Sequence, residues 1–156
     1  MGVPELNPFA EAVSIGFEAN DPGVAGKALE HANVLVVRRL FEDLGRGDLD
    51  AFVGGVTDDV ELEIYAPAAF SWVRRAKGRQ ELRAAVEHNF GTLAEQQPEV
   101  LKLVAQGHCI VLIGRERGRV RESGLPYDVY FVYEFTLRDG KVQHIREIGV
   151  RADGQP

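Results

Sequence analysis

The sequence predicts an α+β protein in which a curved sheet wraps round helices that come before most of its strands. Helical periodicity dominates up to about residue 44, and two-residue alternation dominates from Val60 onward. Between two later strand-like runs stands Asp139-Gly140, a pair typical of tight hairpins. Helices followed by strands are typical of a layered α+β fold. A sheet closed on one side by helices forms a cone, whose partly filled interior favours a small-molecule pocket.

Four helices are predicted from caps and apolar spacing. Asn7-Pro8 and Asp21-Pro22 each place a favourable N-cap residue before a proline suited to the first helical position. Asp48 caps a short third helix, and Gly78 precedes the fourth. The predicted helices run from about Pro8 to Phe17, from about Pro22 through Leu44, from Leu49 to Val53 and from Gln80 to about Leu93.

Strands are predicted where apolar and polar residues alternate. The run from Val60 to Tyr65 alternates in this way and stops before Pro67. The segment from Ala66 to Lys77 is expected to be a loop, and Pro98 is expected to close the last helical stretch. The later strands are predicted at Val100 to Val104 with His108 to Arg119, at Tyr127 to Leu137 and at Lys141 to Val150.

Composition and charge exclude several classes of protein. The chain has 156 residues, enough for one domain, and its net charge of −6 excludes a phosphate-tracking protein, so no nucleic-acid partner is expected. The single Cys109 cannot form an internal disulfide, and the first residues do not resemble a secretion signal. No run approaches about 18 apolar residues. A cytoplasmic protein without a membrane partner is therefore expected.

The chain is divided by its patterns into an extension, one domain and a short tail. Residues 1–30 are expected to form a helical extension, residues 31–151 the domain and residues 152–156 the tail. The histidines lack metal-ligand spacing with one another or with acids, so no metal is predicted. No cofactor is predicted either, because no dinucleotide fingerprint stands between a strand and a helix.

Several short motifs occur in a recognisable order between about residues 33 and 150. They are Gly47-Asp48-Leu49-Asp50 with Thr57-Asp58-Asp59-Val60, the segment from Pro67 through Trp72 leading to Lys77-Gly78-Arg79, Ser123 to Asp128, Phe135 through Val142, and Ile145-Arg146-Glu147. In this order they resemble the SnoaL-like group of the nuclear-transport-factor-two-like superfamily, which includes ketosteroid isomerases, polyketide cyclases and limonene-epoxide hydrolases. The resemblance implies a cystatin-like α+β barrel, a cone-shaped curved antiparallel (mixed) sheet wrapped round three to four N-terminal helices.

The resemblance also implies which side chains face the pocket, since alternation alone gives only the parity within each strand. The implied inward residues are Glu61, Glu63, Tyr65, Cys109, Ile113, Arg115, Arg117, Tyr127, Val129, Phe131, Tyr133, Ile145, Glu147 and Gly149. Phe70 and Trp72 are expected to form a lid at the pocket mouth. His88 is a further candidate ligand contact, expected to point toward the sheet.

Ketosteroid isomerase chemistry needs two carboxyl groups that are missing at the implied positions. Val129 stands at the position of the oxyanion-hole acid, and no acid stands at residues 64–66, where the base is expected. The epoxide hydrolase pattern is closer, with Arg115 at the position of its arginine and Glu147 at the carboxylate of the final strand. Arg117 replaces the second carboxylate of that pattern.

The catalytic candidates are Glu147, Arg115 and Tyr65. Glu147 is expected to act as general base, with a pKa set by desolvation against Arg115, and Arg117 or Tyr65 is expected to donate to the ligand. The candidate substrate-binding residues are Glu63, Phe70, Trp72, His88, Arg117, Tyr127, Val129, Phe131 and Tyr133. The alternative is a non-catalytic ligand-binding or dimerisation domain, in which the interior charges pair with one another for structural reasons.

The expected partners are a small molecule and a second copy of the chain. The ligand is expected to be mostly apolar and to carry a carbonyl, hydroxyl or carboxylate, because aromatic residues and two arginines are expected in one cavity. A homodimer is implied by the resemblance, in which the outer sheet faces pack together. Val132, Ile148 and Val150 are apolar on that face and would be a liability if they were exposed.

Overall fold

The computed structural model describes residues 8–20 and 28–154 and confirms the predicted α+β class. Its elements are α1 (Pro8–Asn20), α2 (Ala28–Gly45), α3 (Leu49–Gly54), β1 (Val56–Tyr65), β2 (Arg75–Lys77), α4 (Arg79–Gly91), β3 (Leu93–Gln106), β4 (Cys109–Val120), β5 (Pro126–Arg138) and β6 (Lys141–Arg151). The predicted cap at Asn7 and the predicted helix start at Pro22 lie outside the described residues. Asp48 caps α3, since its side chain accepts a hydrogen bond from the Ala51 backbone N–H at 3.0 Å.

The six strands form one mixed sheet in the order β2-β1-β6-β5-β4-β3. β1 and β6 are parallel neighbours, and all other neighbouring strands are antiparallel. The predicted hairpin joins β5 to β6 through Asp139 and Gly140, whose φ angles of 51° and 76° are the positive values that a type I′ turn requires. The final hairpin therefore supplies the two central strands of the sheet.

The third strand begins earlier than the sequence predicted. β3 starts at Leu93, where a helix was expected to end, and it runs through Pro98. Because β3 is an edge strand paired only with β4, a proline costs no hydrogen bond to a second neighbour. Pairing with β4 is irregular near the start of β3, where Glu95 has a positive φ of 54°. The short β2 lies in the predicted loop and pairs with β1.

The helices cover one face of the sheet, and one row of side chains from each strand faces them. The ring of Phe41 in α2 lies between the layers, with its centroid 5.4 Å from that of Tyr133 and 5.7 Å from that of Phe135, both edge-on. Phe17 of α1 lies on the other side of Phe41, at 5.8 Å. The inward apolar residues include Val60, Leu62, Ile64, Ile110, Leu112, Phe135, Leu137, Val142 and Ile145.

Two glycines on the inner side of β4 allow rings from β5 to lie over its backbone. A Cβ added at Gly114 would lie 2.3 Å from Cζ of Phe131 and 2.6 Å from the carbonyl oxygen of Glu99. A Cβ at Gly118 would lie 2.5 Å from the Tyr127 hydroxyl. The positions of both rings therefore depend on the absence of a side chain at these two residues.

Gly114→Ala is expected to lower the free energy of unfolding by about 1–3 kcal/mol, because its Cβ would overlap both a ring and a backbone oxygen. The matched control is Gly54→Ala in α3, where an added Cβ meets nothing within 4 Å. That control should leave stability unchanged or raise it by up to about 1 kcal/mol. Urea unfolding followed by circular dichroism measures both, and equal stability of the two variants would contradict the close packing at Gly114.

Candidate functional site

An apolar cavity lies between the sheet and helices α2, α3 and α4. Its empty volume is about 650 Å³ with its open mouth included. It is lined by Leu40, Phe41, Leu44, Phe52, Leu62, Ile64, Trp72, Val86, Asn89, Phe90, Leu93, Tyr133, Phe135, Ile145 and Glu147. Among these described residues none is basic, so a carboxylate inside the cavity has no cationic partner in its walls.

Glu147 is the ionisable carboxyl group of this cavity. Strand register places it directly opposite Tyr133, and both side chains line the cavity. The pKa of Glu147 is raised to about 7, mainly because the group is buried. Hydrogen bonding to Tyr133 lowers this pKa in part, and the nearby Glu116 raises it slightly further. Burial also raises the pKa of Tyr133 well above its usual value, so its hydroxyl remains a proton donor. A carboxyl group with a pKa near 7 can give or take a proton at neutral pH.

A second interior carboxyl group, Glu116, was missed by the sequence analysis. The Tyr127 hydroxyl donates to its Oε2 at 2.8 Å, and the Gln96 amide donates to its Oε1 at 3.4 Å. Burial raises the pKa of Glu116, and these two hydrogen bonds lower it in part. The sequence contained a signal for Glu116. Alternation along a strand puts Glu116 on the face opposite to Arg115 and Arg117, so if the two arginines lie outside, Glu116 lies inside.

Glu116 lines a second, smaller cavity beneath α1. This cavity has an empty volume of about 360 Å³ with its opening included. It is lined by Phe9, Val13, Phe41, Phe90, Pro98, Val100, Leu112, Glu116, Phe131 and Tyr133. Tyr133 thus lies beside both cavities, and its ring is near both interior carboxyl groups.

Trp72 forms part of the wall of the first cavity. Its indole N–H donates to Oγ1 of Thr92 at 2.9 Å, and its ring stacks on Phe70 with centroids 4.5 Å apart. Asn89 of α4 is buried next to it, accepting from the Val73 N–H at 2.8 Å and donating to the Val73 carbonyl at 3.0 Å. These contacts attach the segment before β2 to α4. Phe70 itself lies outside the cavity lining.

The prediction that Arg115 and Arg117 face the pocket is wrong. Both lie on the outer face of the sheet, where Arg115 donates to both carboxylate oxygens of Asp128, at 2.8 and 2.6 Å. Its guanidinium group also lies 5.2 Å from the ring centre of Tyr130, and Arg117 is 3.5 Å from Asp128. A guanidinium group on this face keeps its contact with water as well as with a carboxylate, whereas burial in the interior would remove the water. Arg115 is therefore not a partner of Glu147.

The prediction for the first strand is wrong in the same way. Glu63 and Tyr65 lie on the outer face, where the Tyr65 hydroxyl donates to Glu63 at 2.9 Å. Arg146 and Arg75 donate to the Glu63 carboxylate at 2.5 and 2.7 Å. Hydrogen bonding, first from Arg146, holds the pKa of Glu63 at about 2. Glu61, Cys109 and Ile113 also lie on the outer face, contrary to prediction.

The remaining candidate residues are divided between the interior and the surface. His88 is exposed on α4, with its Nε2 2.8 Å from the Ser71 carbonyl oxygen, so the prediction that it points toward the sheet is wrong. Val129 is buried with Phe70 and Leu93 in a cluster beside the cavities. Phe131 lines the second cavity.

Neither a metal site nor a membrane-spanning helix is found among the described residues. No group of three or more His, Cys, Asp or Glu residues within 8–20 and 28–154 is arranged to hold a metal ion. None of the four helices described is both long and apolar enough to cross a membrane.

Solved structures share the fold of this chain. A SnoaL-like protein from Jannaschia sp., provisionally described as a polyketide cyclase, is 23% identical with a TM-score of 0.70 over 81% of this chain and 91% of its own. An NTF2-like protein from Burkholderia xenovorans is 24% identical with a TM-score of 0.67, over 78% and 91%. An LEH-like epoxide hydrolase from M. tuberculosis is 14% identical with a TM-score of 0.59, over 76% and 83%.

The sequence itself supplies the family. No curated protein matches the chain. Residues 37–145, well over half of the chain, match the SnoaL-like domain. This range includes β1, β2, α3, α4 and β3 to β5 in full, with parts of α2 and β6, so it contains most of the lining of both cavities. The motifs that suggested the resemblance and the observed sheet agree with this match, and the chain belongs to the SnoaL-like domain family.

Proposed function

We propose that the protein binds a mostly apolar small molecule through a carbonyl or hydroxyl group and moves a proton on it, with Glu147 as general acid and base. The observation that carries the proposal is Glu147 itself, a carboxyl group with a pKa of about 7 in an apolar cavity, directly opposite the hydroxyl of Tyr133. Tyr133 stays protonated, and its hydroxyl, which donates to Glu147 in this structure, donates to the ligand oxygen instead when the ligand is bound.

The cavity lining favours a neutral ligand. Its walls contain Glu147, Asn89 and Tyr133 as polar groups and no Lys, Arg or His among the described residues. A ligand carboxylate would therefore lie near carboxyl groups without a cation, which is unfavourable in an apolar surrounding. The sequence-based expectation of an anionic group depended on Arg115 and Arg117, and both lie outside.

Glu147→Gln is expected to reduce catalysed proton exchange by about 10²–10⁴-fold, since the amide keeps the shape of the carboxyl group but cannot take up the proton. The probe is 2-tetralone, an apolar bicyclic ketone, and the measurement is deuterium incorporation beside its carbonyl in D₂O, followed by NMR. Tyr133→Phe should lower the same rate, because it removes the hydroxyl that donates to the carbonyl oxygen.

The matched control is Glu134→Gln, which changes the neighbour of Tyr133 on the outer face, where Glu134 pairs with Arg146 at 3.1 Å. It should exchange 2-tetralone at the wild-type rate. Exchange by Glu147→Gln at the wild-type rate would remove Glu147 from the chemistry. If the wild-type protein binds 2-tetralone without accelerating exchange, the non-catalytic ligand-binding alternative replaces the enzyme.

Stability should depend on pH through Glu147. Below about pH 4.5 the group is protonated in both folded and unfolded chains, and between about 4.5 and 7 only the folded chain keeps the proton. Raising the pH through this window therefore destabilises the folded protein, by on the order of 3 kcal/mol for a pKa raised from 4.5 to about 7. Glu147→Gln lacks this dependence, so its stability relative to wild type should rise from about pH 5 to about pH 8. Urea unfolding at both pH values measures the difference, and parallel curves would contradict a raised pKa.

The proposal includes a homodimer formed through the outer face of the sheet. Tyr65, Tyr130, Ile148 and Val150 are 46%, 39%, 43% and 56% exposed on this face. They are adjacent, because Tyr65 pairs with Ile148 and Tyr130 with Val150 across neighbouring strands. An exposed apolar patch of this kind is typical of a protein interface. A second copy presents the same patch, which a two-fold interface requires.

Ile148→Asp should convert the dimer to a monomer, because a carboxylate placed at the centre of an apolar interface loses its water without gaining a partner. The control is Leu125→Asp, since Leu125 is 65% exposed in the segment between β4 and β5, away from this patch. Sedimentation velocity gives the mass of each variant. A monomeric wild type, or a dimer unaffected by Ile148→Asp, would contradict the proposed interface.

A further inference from the structure

The two interior cavities share three aromatic rings in their walls. Phe41, Phe90 and Tyr133 line both cavities. Glu147 lies in the first cavity, and Phe9 and Val13 of α1 line only the second. Phe90 and Tyr133 are only partly buried. A ligand that occupies both spaces therefore requires these shared rings to move.

The α1 helix, which closes the second cavity, lies outside the part of the chain that matches the family. The match covers residues 37–145, and α1 spans Pro8–Asn20. The match therefore does not include this part of the wall of the second cavity.

The position of α1 is fixed by close packing and by hydrogen bonds. A Cβ on Gly16 would lie 2.5 Å from Cβ of Val100 in β3, so the helix backbone touches the sheet edge. On its other side, Ser14 donates to Glu42 at 2.9 Å, and Arg38 donates to Ser14 at 3.0 Å. Phe9 meets Phe90 edge-on with ring centroids 5.4 Å apart. The α1 helix is therefore a well-packed part of the wall of the second cavity.

We propose that the second cavity receives the apolar tail of the ligand whose carbonyl or hydroxyl group lies at Glu147, and that Phe9 and Val13 set the longest tail that fits. This inference rests on the proposed function. The class of ligand is a molecule with one polar head and one unbranched alkyl or narrow aryl tail. The single carboxyl group in the second cavity, Glu116, already has Tyr127 and Gln96 as hydrogen-bond partners, so the lining that remains for the tail is apolar.

The test uses 4-alkylphenols from 4-methylphenol to 4-octylphenol, with the dissociation constant of each measured by isothermal titration calorimetry. Their hydroxyl group occupies the head position, and their tails differ only in length. Each added methylene group should tighten binding about fourfold while it enters apolar space. Once the tail reaches Phe9 and Val13, longer tails should bind no more tightly. The length at which this plateau begins is the readout.

In Phe9→Ala the plateau should begin at a tail that is longer by roughly two methylene groups, because removal of the ring enlarges the second cavity on the side of α1. Val13→Met should move it in the opposite direction by filling the same space. Since the two variants change the cavity in opposite senses, loss of folding by one leaves the other as the measurement.

The matched control is Phe17→Ala, on the same helix. Phe17 is buried against Phe41 but does not line the second cavity. The Phe17→Ala protein should therefore be less stable than wild type, as the Phe9→Ala protein is, but its plateau should begin at the wild-type tail length. An unchanged plateau in folded Phe9→Ala and Val13→Met, or an equal shift in Phe17→Ala, would overturn the role of α1. Failure of every alkylphenol to bind wild type would instead contradict the proposed function, and this inference with it.

Discussion

The packing of Phe41 against the inner face of the sheet is the contact on which the interior depends. One ring in α2 touches Phe17 of α1 and both Tyr133 and Phe135 of β5, so it joins the two long helices to the centre of the sheet. Its contacts with Tyr133 and Phe135 are edge-on, an arrangement that aromatic pairs favour. Phe41 also lines both cavities, so both depend on the position of this ring.

The two faces of the sheet shift the pKa of a glutamate side chain in opposite directions. Glu63 on the outer face has two arginines and a tyrosine as donors, which hold its pKa at about 2. Glu147, on the neighbouring strand but facing inward, is surrounded by apolar side chains and has a pKa of about 7. The difference follows from desolvation without a cation in one case and from charged hydrogen bonds in the other. Of these two glutamates, only Glu147 on the inner face can therefore give and take a proton near neutral pH.

Membership of the SnoaL-like family limits the fold more than the chemistry, since one fold can support unrelated reactions. In this chain the interior contains two glutamates, each hydrogen-bonded to a tyrosine, and no arginine among the lining residues. This composition differs from the interior that the resemblance implied, with Glu147 beside Arg115 and Arg117. It favours a neutral oxygen on the ligand, held by Tyr133 and acted on by Glu147, as the proposed function requires.

The sequence by itself determined the order of the helices and the longer strands, the hairpin at Asp139-Gly140 and the parity of residues within each strand. These depend on local preferences of the backbone and on alternation. Parity was enough to put Tyr133 and Glu147 on the same face of their hairpin as Phe135 and Ile145. The structure places the neighbours Asp128 and Val129 on opposite faces, as alternation along a strand requires.

Only the tertiary structure decided which face of β4 is inside, and it also corrected the face expected for β1. In β4 the residues from Ile110 to Ile113 are all apolar, so alternation gave no contrast, and Glu116 was missed while Arg115 and Arg117 were turned inward. In β1 the contrast was present, since Val60, Leu62 and Ile64 are apolar, but the face was taken from the resemblance instead. The choice depends on which side the helices cover, because a guanidinium group stays in water while aliphatic side chains are buried beneath α2. That covering is a contact between distant parts of the chain, and no local pattern contains it.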